Sequence, residues 1–116
     1  MLVIDFDEQV GIAVRSVLEP LGAIVTTTTA AEVDAVALLA DVIICDLELI
    51  EAAGTDFLSN LRRRHTRRGR RAPALAFVTG GAPPIERVRA AGFEAYVTKP
   101  IEPRELRRAV WELAAR

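Results

Sequence analysis

Apolar runs and helical repeats alternate along the whole chain. Leu2-Val3-Ile4 is a short apolar run ending in Asp5, the pattern of a strand covered on both faces. From Val10 to Leu21 the apolar residues Val10, Val14, Val17, Leu18 and Leu21 return at helical spacing, with Pro20 and Gly22 punctuating the end. Ala23 to Thr28 is β-branched and predicts a second strand, its threonine run leading to a helix cap. Ala30 to Ala40 restores the helical period through Val33, Val36, Ala37 and Ala40. Val42-Ile43-Ile44-Cys45 is a third apolar run, closed again by an acid, Asp46. Phe57, Leu58 and Leu61 mark a third helix that runs into an arginine-rich end. Ala74 to Val78 predicts a fourth strand, followed by Thr79-Gly80-Gly81. A thin stripe through Ile85 and Val88 predicts a weak helix from about Ile85 to Ala91, stopped by Gly92. Ala95-Tyr96-Val97 is a fifth short strand, and Leu106, Val110 and Leu113 line a last amphipathic helix with Pro103 near its start.

Five alternations of strand and helix predict an α/β domain, a doubly wound five-stranded parallel sheet in the order 2-1-3-4-5 flanked by five helices. Ligands of such sheets sit outside the carboxyl ends of the strands, where the topology switches direction. Asp5 follows the first strand, Asp46 the third, Thr79 the fourth and Lys99 the fifth. One Asp after a strand is as readily a helix cap. Four complementary groups on one edge ask for more than capping. Paired carboxylates want a cation, and a hydroxyl beside an ammonium suits an oxyanion such as a phosphoryl group.

Composition narrows the class. The chain has 116 residues, 51% hydrophobic and 27% charged, which is a folded domain of ordinary size rather than a disordered tail. Fifteen basic against sixteen acidic residues leave a net charge of −1, so no overall field draws it to nucleic acid or an anionic membrane. The apolar runs are far too short for a membrane span, no signal peptide pattern opens the chain, and the single cysteine, Cys45, permits no internal disulfide. These features predict a cytoplasmic protein. Lys99 is the one lysine beside fourteen arginines, a placement that fits a need for a compact ammonium rather than a planar fork.

With these residues in place the chain resembles the receiver domain of two-component response regulators, the CheY-like family. The landmarks are Leu2-Val3-Ile4-Asp5, Ile43-Ile44-Cys45-Asp46-Leu47, Phe77-Val78-Thr79-Gly80 and Tyr96-Val97-Thr98-Lys99-Pro100, and the likeness covers residues 1–116 as one domain. The resemblance implies that Asp46 accepts a phosphoryl group from a histidine kinase or phosphotransfer domain. It implies Mg²⁺ held by Asp5, Asp46 and the backbone carbonyl of Glu48. Thr79 would hydrogen-bond the phosphoryl, Lys99 would pair with it, and Tyr96 matches the aromatic position that turns with the threonine. Such a domain signals; it is not an enzyme beyond its own phosphorylation and dephosphorylation.

Two departures from the family pattern bear on activity. Phe6 stands where the family carries a second acid that binds the metal directly, and Asp7 restores an acid one residue late. The loop Leu49-Ile50-Glu51-Ala52-Ala53-Gly54 lacks the usual proline. An alternative reading is therefore a degenerate pseudo-receiver with weak Mg²⁺ affinity that acts as an interaction module. Another is similarity to haloacid-dehalogenase-type phosphohydrolases, through Val3-Ile4-Asp5-Phe6-Asp7. There Asp5 is nucleophile, Asp7 general acid/base, and Thr79 and Lys99 bind phosphate. Glu8-Gln9 in place of Gly-Thr, the short chain and an unused Asp46 speak against it.

The remaining motifs carry less. The run Arg62 to Arg71 holds seven arginines and His65, and reads as a solvated helix end rather than a nucleic-acid contact, at the sheet end opposite Asp46. Cys45 reads as core, and Trp111 as packing or an interaction anchor. No output domain is legible, so the expected context is a stand-alone receiver or, favoured here, one cut from a longer protein. The arginine-rich segment and Ile101-Glu102-Pro103 look similar to receivers attached to hybrid sensor kinases.

Overall fold

The computed structural model describes residues 1–4, 8–29, 32, 40–64 and 72–115. Its strands are β1 (Leu2–Ile4), β2 (Thr26–Thr28), β3 (Ile43–Asp46), β4 (Ala74–Val78) and β5 (Ala95–Thr98). All pair in parallel, in the order β2-β1-β3-β4-β5. The helices are α1 (Glu8–Leu18), α2 (Leu47–Ala53), α3 (Thr55–Arg64), α4 (Ile85–Ala90) and α5 (Pro103–Ala114), with a 3₁₀ turn at Glu19–Leu21. This is the doubly wound architecture that the alternation predicts.

The period of two along each strand divides the core. Ile43, Cys45, Ala74, Ala76 and Val78 face α2, α3 and α4, where Leu47, Ile50, Leu58, Leu61 and Val88 meet them. Val3, Val42, Ile44, Leu75, Phe77 and Val97 face the other way, onto Val10, Val14 and Leu18 of α1 and Leu106, Val110 and Leu113 of α5. Both layers are dry, and β3 and β4 are buried at every position, as continuous apolar runs require. Cys45 is core.

Several boundaries differ from the sequence expectation, each for a local reason. β2 begins at Thr26 rather than Ala23, because the Ala23 N–H returns to the Leu18 carbonyl and ladder pairing with β1 starts at Thr26. The first helix gives way to the 3₁₀ turn at Glu19, since Pro20 offers no N–H to continue the α ladder. The expected helix from Ala30 to Ala40 lies outside the described residues except for Glu32 and the buried Ala40.

The largest difference follows Asp46. The segment expected as a loop is helix α2, which buries Leu47, Leu49 and Ile50. It meets no breaker until Gly54, whose φ of 96° is in the left-handed region where a side chain is strained. Trp111 is not packing: it is 77% exposed, on the side of α5 away from its buried stripe.

The arginine run is only partly solvated. Arg62 is 2% exposed, and its Nη2 lies 2.7 and 2.5 Å from the two carboxylate oxygens of Glu94. Glu94 also accepts from the Ala74 N–H at 2.6 Å, and its own N–H donates to the Ala74 carbonyl at 3.0 Å. The end of α3 and the starts of β4 and β5 are thus tied at one node, at the amino edge of the sheet. His65 and the arginines from Arg67 to Arg71 lie outside the described residues.

Helix α4 is the lightest element. Its six residues bury Val88 alone, its N-cap is Pro84 with no side-chain bond, and Gly80 and Gly81 precede it with φ of 83° and 103°. With so little apolar anchoring, its amides are expected to exchange with solvent faster than those of β3. Native-state hydrogen exchange checks this, and equal protection in α4 and β3 would contradict it.

Candidate functional site

Asp46 ends β3 at the carboxyl edge and is also the N-cap of α2. Its backbone is extended while the next residue is helical, so its side chain turns back over the first helical turn. Oδ1 accepts from the Leu49 N–H at 3.0 Å. Oδ2 accepts from Lys99 Nζ, also at 3.0 Å. The residue is 8% exposed, its carboxylate held between a backbone donor and an ammonium.

Lys99 reaches this position because β5 extends one hydrogen bond beyond its last ladder pair. The Lys99 N–H donates to the Val78 carbonyl at 2.8 Å, which sets its side chain beside the end of β3, two strands away. The ammonium also stands 5.9 Å from the centroid of the Phe77 ring, within cation–π range. Phe77 is the register partner of Asp46, so one strand pair places the carboxylate and the ring beside the lysine. The peptide bond from Lys99 to Pro100 is cis.

Thr79 follows β4 directly and is exposed. Its hydroxyl donates toward Glu48 Oε1 at 3.5 Å, the long limit of a hydrogen bond. Tyr96 is half-buried on β5, packed against the layer under α2, α3 and α4. Asp5, Phe6 and Asp7 lie outside the described residues.

The backbone carbonyl of Glu48, expected as a metal ligand, belongs to the first turn of α2. The Glu48 side-chain carboxylate also reaches this edge, accepting from the Thr79 hydroxyl.

Three further residues belong to this edge and were not found from the sequence. Leu49 supplies its N–H to Asp46. Glu51, on the same face of α2 as Glu48, meets Arg87 of α4 as a bidentate pair, Nε to Oε2 at 2.9 Å and Nη2 to Oε1 at 2.6 Å. The Arg87 hydrogen bond holds the Glu51 carboxyl below its ordinary range, and the pair raises the Arg87 guanidinium in return. The signal available in the sequence was Asp46 before Leu47-Glu48-Leu49-Ile50, a capping residue with an acid in the first turn. Nothing local pointed to Arg87, which is 36 positions from Glu51.

The carboxylates of Asp46 and Glu48 have the hard-oxygen character that Mg²⁺ takes. Among the described residues, no three acidic, histidine or cysteine side chains converge as a metal cage. Also among them, no helix is long and apolar enough to cross a membrane.

Comparison with known proteins places this geometry. No curated protein matches the chain in sequence. Among solved structures it is similar to a response regulator receiver protein from Pseudoalteromonas atlantica, 18% identical, TM-score 0.75, covering 98% of this chain and 95% of that one. It is similar to the receiver domain of a sensor histidine kinase from Pseudomonas aeruginosa, whose structure has a magnesium ion coordinated in the active-site cleft. That match is 22% identical, TM-score 0.73, over 99% of this chain and 96% of that one. The chemotaxis protein CheY4 of Vibrio cholerae matches at 22% identity and TM-score 0.72, over 97% of this chain and 95% of that one. At these identities the likeness carries the fold. The sequence pattern of the response regulator receiver domain matches residues 1–111, nearly the whole chain, and the chain belongs to that family.

Proposed function

We propose that this receiver domain, taken as residues 1–116, accepts a phosphoryl group on Asp46 from a histidine kinase or phosphotransfer domain. The observation that carries the reading is the 3.0 Å contact between Lys99 Nζ and Asp46 Oδ2 at the carboxyl edge of the sheet. In the transfer, the bond from phosphorus to the donor histidine nitrogen breaks, and one from phosphorus to an Asp46 oxygen forms. The histidine nitrogen keeps the electron pair, and the ring, protonated at its other nitrogen, leaves as neutral imidazole. A carboxylate is a weak nucleophile, so the protein contributes placement and charge neutralisation rather than a strong base. Lys99 neutralises the oxygens that gain charge, and the Thr79 hydroxyl leaves Glu48 to donate to the phosphoryl. Tyr96, packed beneath, follows Thr79.

Mg²⁺, when bound by Asp46 and Asp5, neutralises the oxygens of the incoming phosphoryl group. The backbone carbonyl of Glu48, in the first turn of α2, would be the third protein oxygen on the metal. Partners are the phosphoryl donor and other domains of a longer parent, with no nucleic-acid or membrane contact, in the cytoplasm. Phosphorylation signals by conformational change rather than turning over a substrate.

Intact-mass measurement after incubation with acetyl phosphate and Mg²⁺ tests the reading. A gain of one phosphoryl group, mapped to Asp46, supports it. One second reading, a pseudo-receiver that serves as an interaction module, rests on Phe6 standing where the family carries an acidic metal ligand, and an unchanged mass decides for it.

Phe6→Asp separates the two in degree. An added carboxylate at the family's metal position is expected to raise Mg²⁺ affinity by about tenfold or more and to speed phosphorylation. Calorimetric titration with Mg²⁺ measures the first. Equal, tight binding by both chains would mean that Asp7 or another group already supplies the ligand.

A further inference from the structure

Glu48 and Glu51 stand three residues apart on one face of α2 and look across the cleft, Glu48 to Thr79 and Glu51 to Arg87. The second contact is the better formed, since both edges of the Arg87 fork meet both carboxylate oxygens. A guanidinium edge that fits a carboxylate fits phosphoryl oxygens in the same way. The two side chains are 44% and 36% exposed, so the pair is held in solvent and is exchangeable.

These groups share one electrostatic neighbourhood. The charge on Asp46 pushes the Glu51 carboxyl in the direction opposite to Arg87, and Arg87 in turn feels Glu48. Arg87 also rides on the element least anchored in the fold, a single turn and a half with Val88 as its buried residue and two glycines upstream.

We infer that Arg87 is a phosphoryl-sensing residue: held on Glu51 in the unmodified chain, it transfers to the phosphoryl group formed on Asp46 and takes α4 with it. The inference rests on the proposal that Asp46 is phosphorylated. Modification replaces one negative charge at Asp46 by about two and adds acceptor oxygens. The added charge repels Glu48 and Glu51 and attracts the guanidinium, and a bidentate acceptor becomes available to it. Arg87 does not touch the reacting atoms in the free chain, so it reads the product rather than making it.

The test uses the whole chain, phosphorylated with acetyl phosphate and Mg²⁺. Here the phosphorus–oxygen bond to acetate breaks, the bond to an Asp46 oxygen forms, and acetate leaves. Intact mass gives the occupancy, and the Arg87 Nε–H resonance reports what the fork holds. In the unaltered chain that resonance is expected to shift on phosphorylation. In Glu51→Gln it starts at a different position and arrives at the same end point. In Arg87→Met, phosphorylation persists while the change in α4 amide exchange is lost. Both replaced side chains are exposed, and a thermal melt verifies that each variant is folded. A phosphorylated chain with a stationary Arg87 signal, or an α4 response that survives Arg87→Met, overturns this inference alone. Absence of any mass gain overturns the proposed function and this inference with it.

Discussion

Asp46→Asn is expected to abolish phosphoryl uptake while leaving the fold standing. Asn is as good an N-cap as Asp, and its carbonyl oxygen can still accept the Leu49 N–H that Oδ1 accepts now. Helix α2 therefore keeps its start. The change removes the nucleophile, because an amide oxygen carries no negative charge to place on phosphorus and its nitrogen has no free pair to offer. It also removes the Asp46 charge from beside Lys99, whose side chain is 19% exposed. Loss of that charge-assisted bond costs about 1 kcal/mol. Intact mass after acetyl phosphate and Mg²⁺ reads the first effect and a thermal melt the second. Full phosphoryl gain in the variant would show that the acceptor lies elsewhere. An unfolded variant would show that the cap, not the charge, depends on the acid.

A large loss of stability is expected at the opposite edge. Arg62→Ala should destabilise the domain by about 3 kcal/mol, near the low end for breaking a buried ion pair, because Glu94 is partly solvated. The cost arises in what remains. Glu94 stays charged at the start of β5, still bonded to the Ala74 N–H but without its guanidinium. Glu94→Gln keeps an acceptor for that N–H and should cost less than Arg62→Ala. Urea denaturation measures both, with an unchanged slope showing that the same surface is exposed on unfolding. A loss under about 1 kcal/mol for Arg62→Ala would reduce the pair to an ordinary surface contact.

Strands were the most legible part of the fold. Ile43-Ile44-Cys45 and Ala74 to Val78 are apolar at every position, and only a strand covered on both faces needs that in so short a run. Asp46 and Lys99 were legible for a related reason, being polar residues placed where such runs stop. Helix α2 was not. Leu-Glu-Leu-Ile-Glu-Ala-Ala is too short to establish a period, and what holds it helical is burial of Leu47, Leu49 and Ile50 together with a cap from the residue already assigned to chemistry. Arg62 was hidden among identical neighbours, since its burial is decided by Glu94, 32 positions away. Long-range pairing of exposed charges, as between Glu51 and Arg87, leaves no local trace at all.

The node at Arg62, Glu94 and Ala74 also governs how the molecule deforms. Leaving α4, the chain turns at Gly92, buries Phe93 and enters the node at Glu94, so the helix is fastened at its carboxyl end. Its amino end follows Gly80-Gly81 and two prolines and is held to α2 by the exposed, exchangeable pair of Arg87 with Glu51. A body pinned at one end and loose at the other swings. A small force applied near Asp46 acts at the free end of that lever, where the arm is longest, and the far edge of the sheet stays still while the near edge moves.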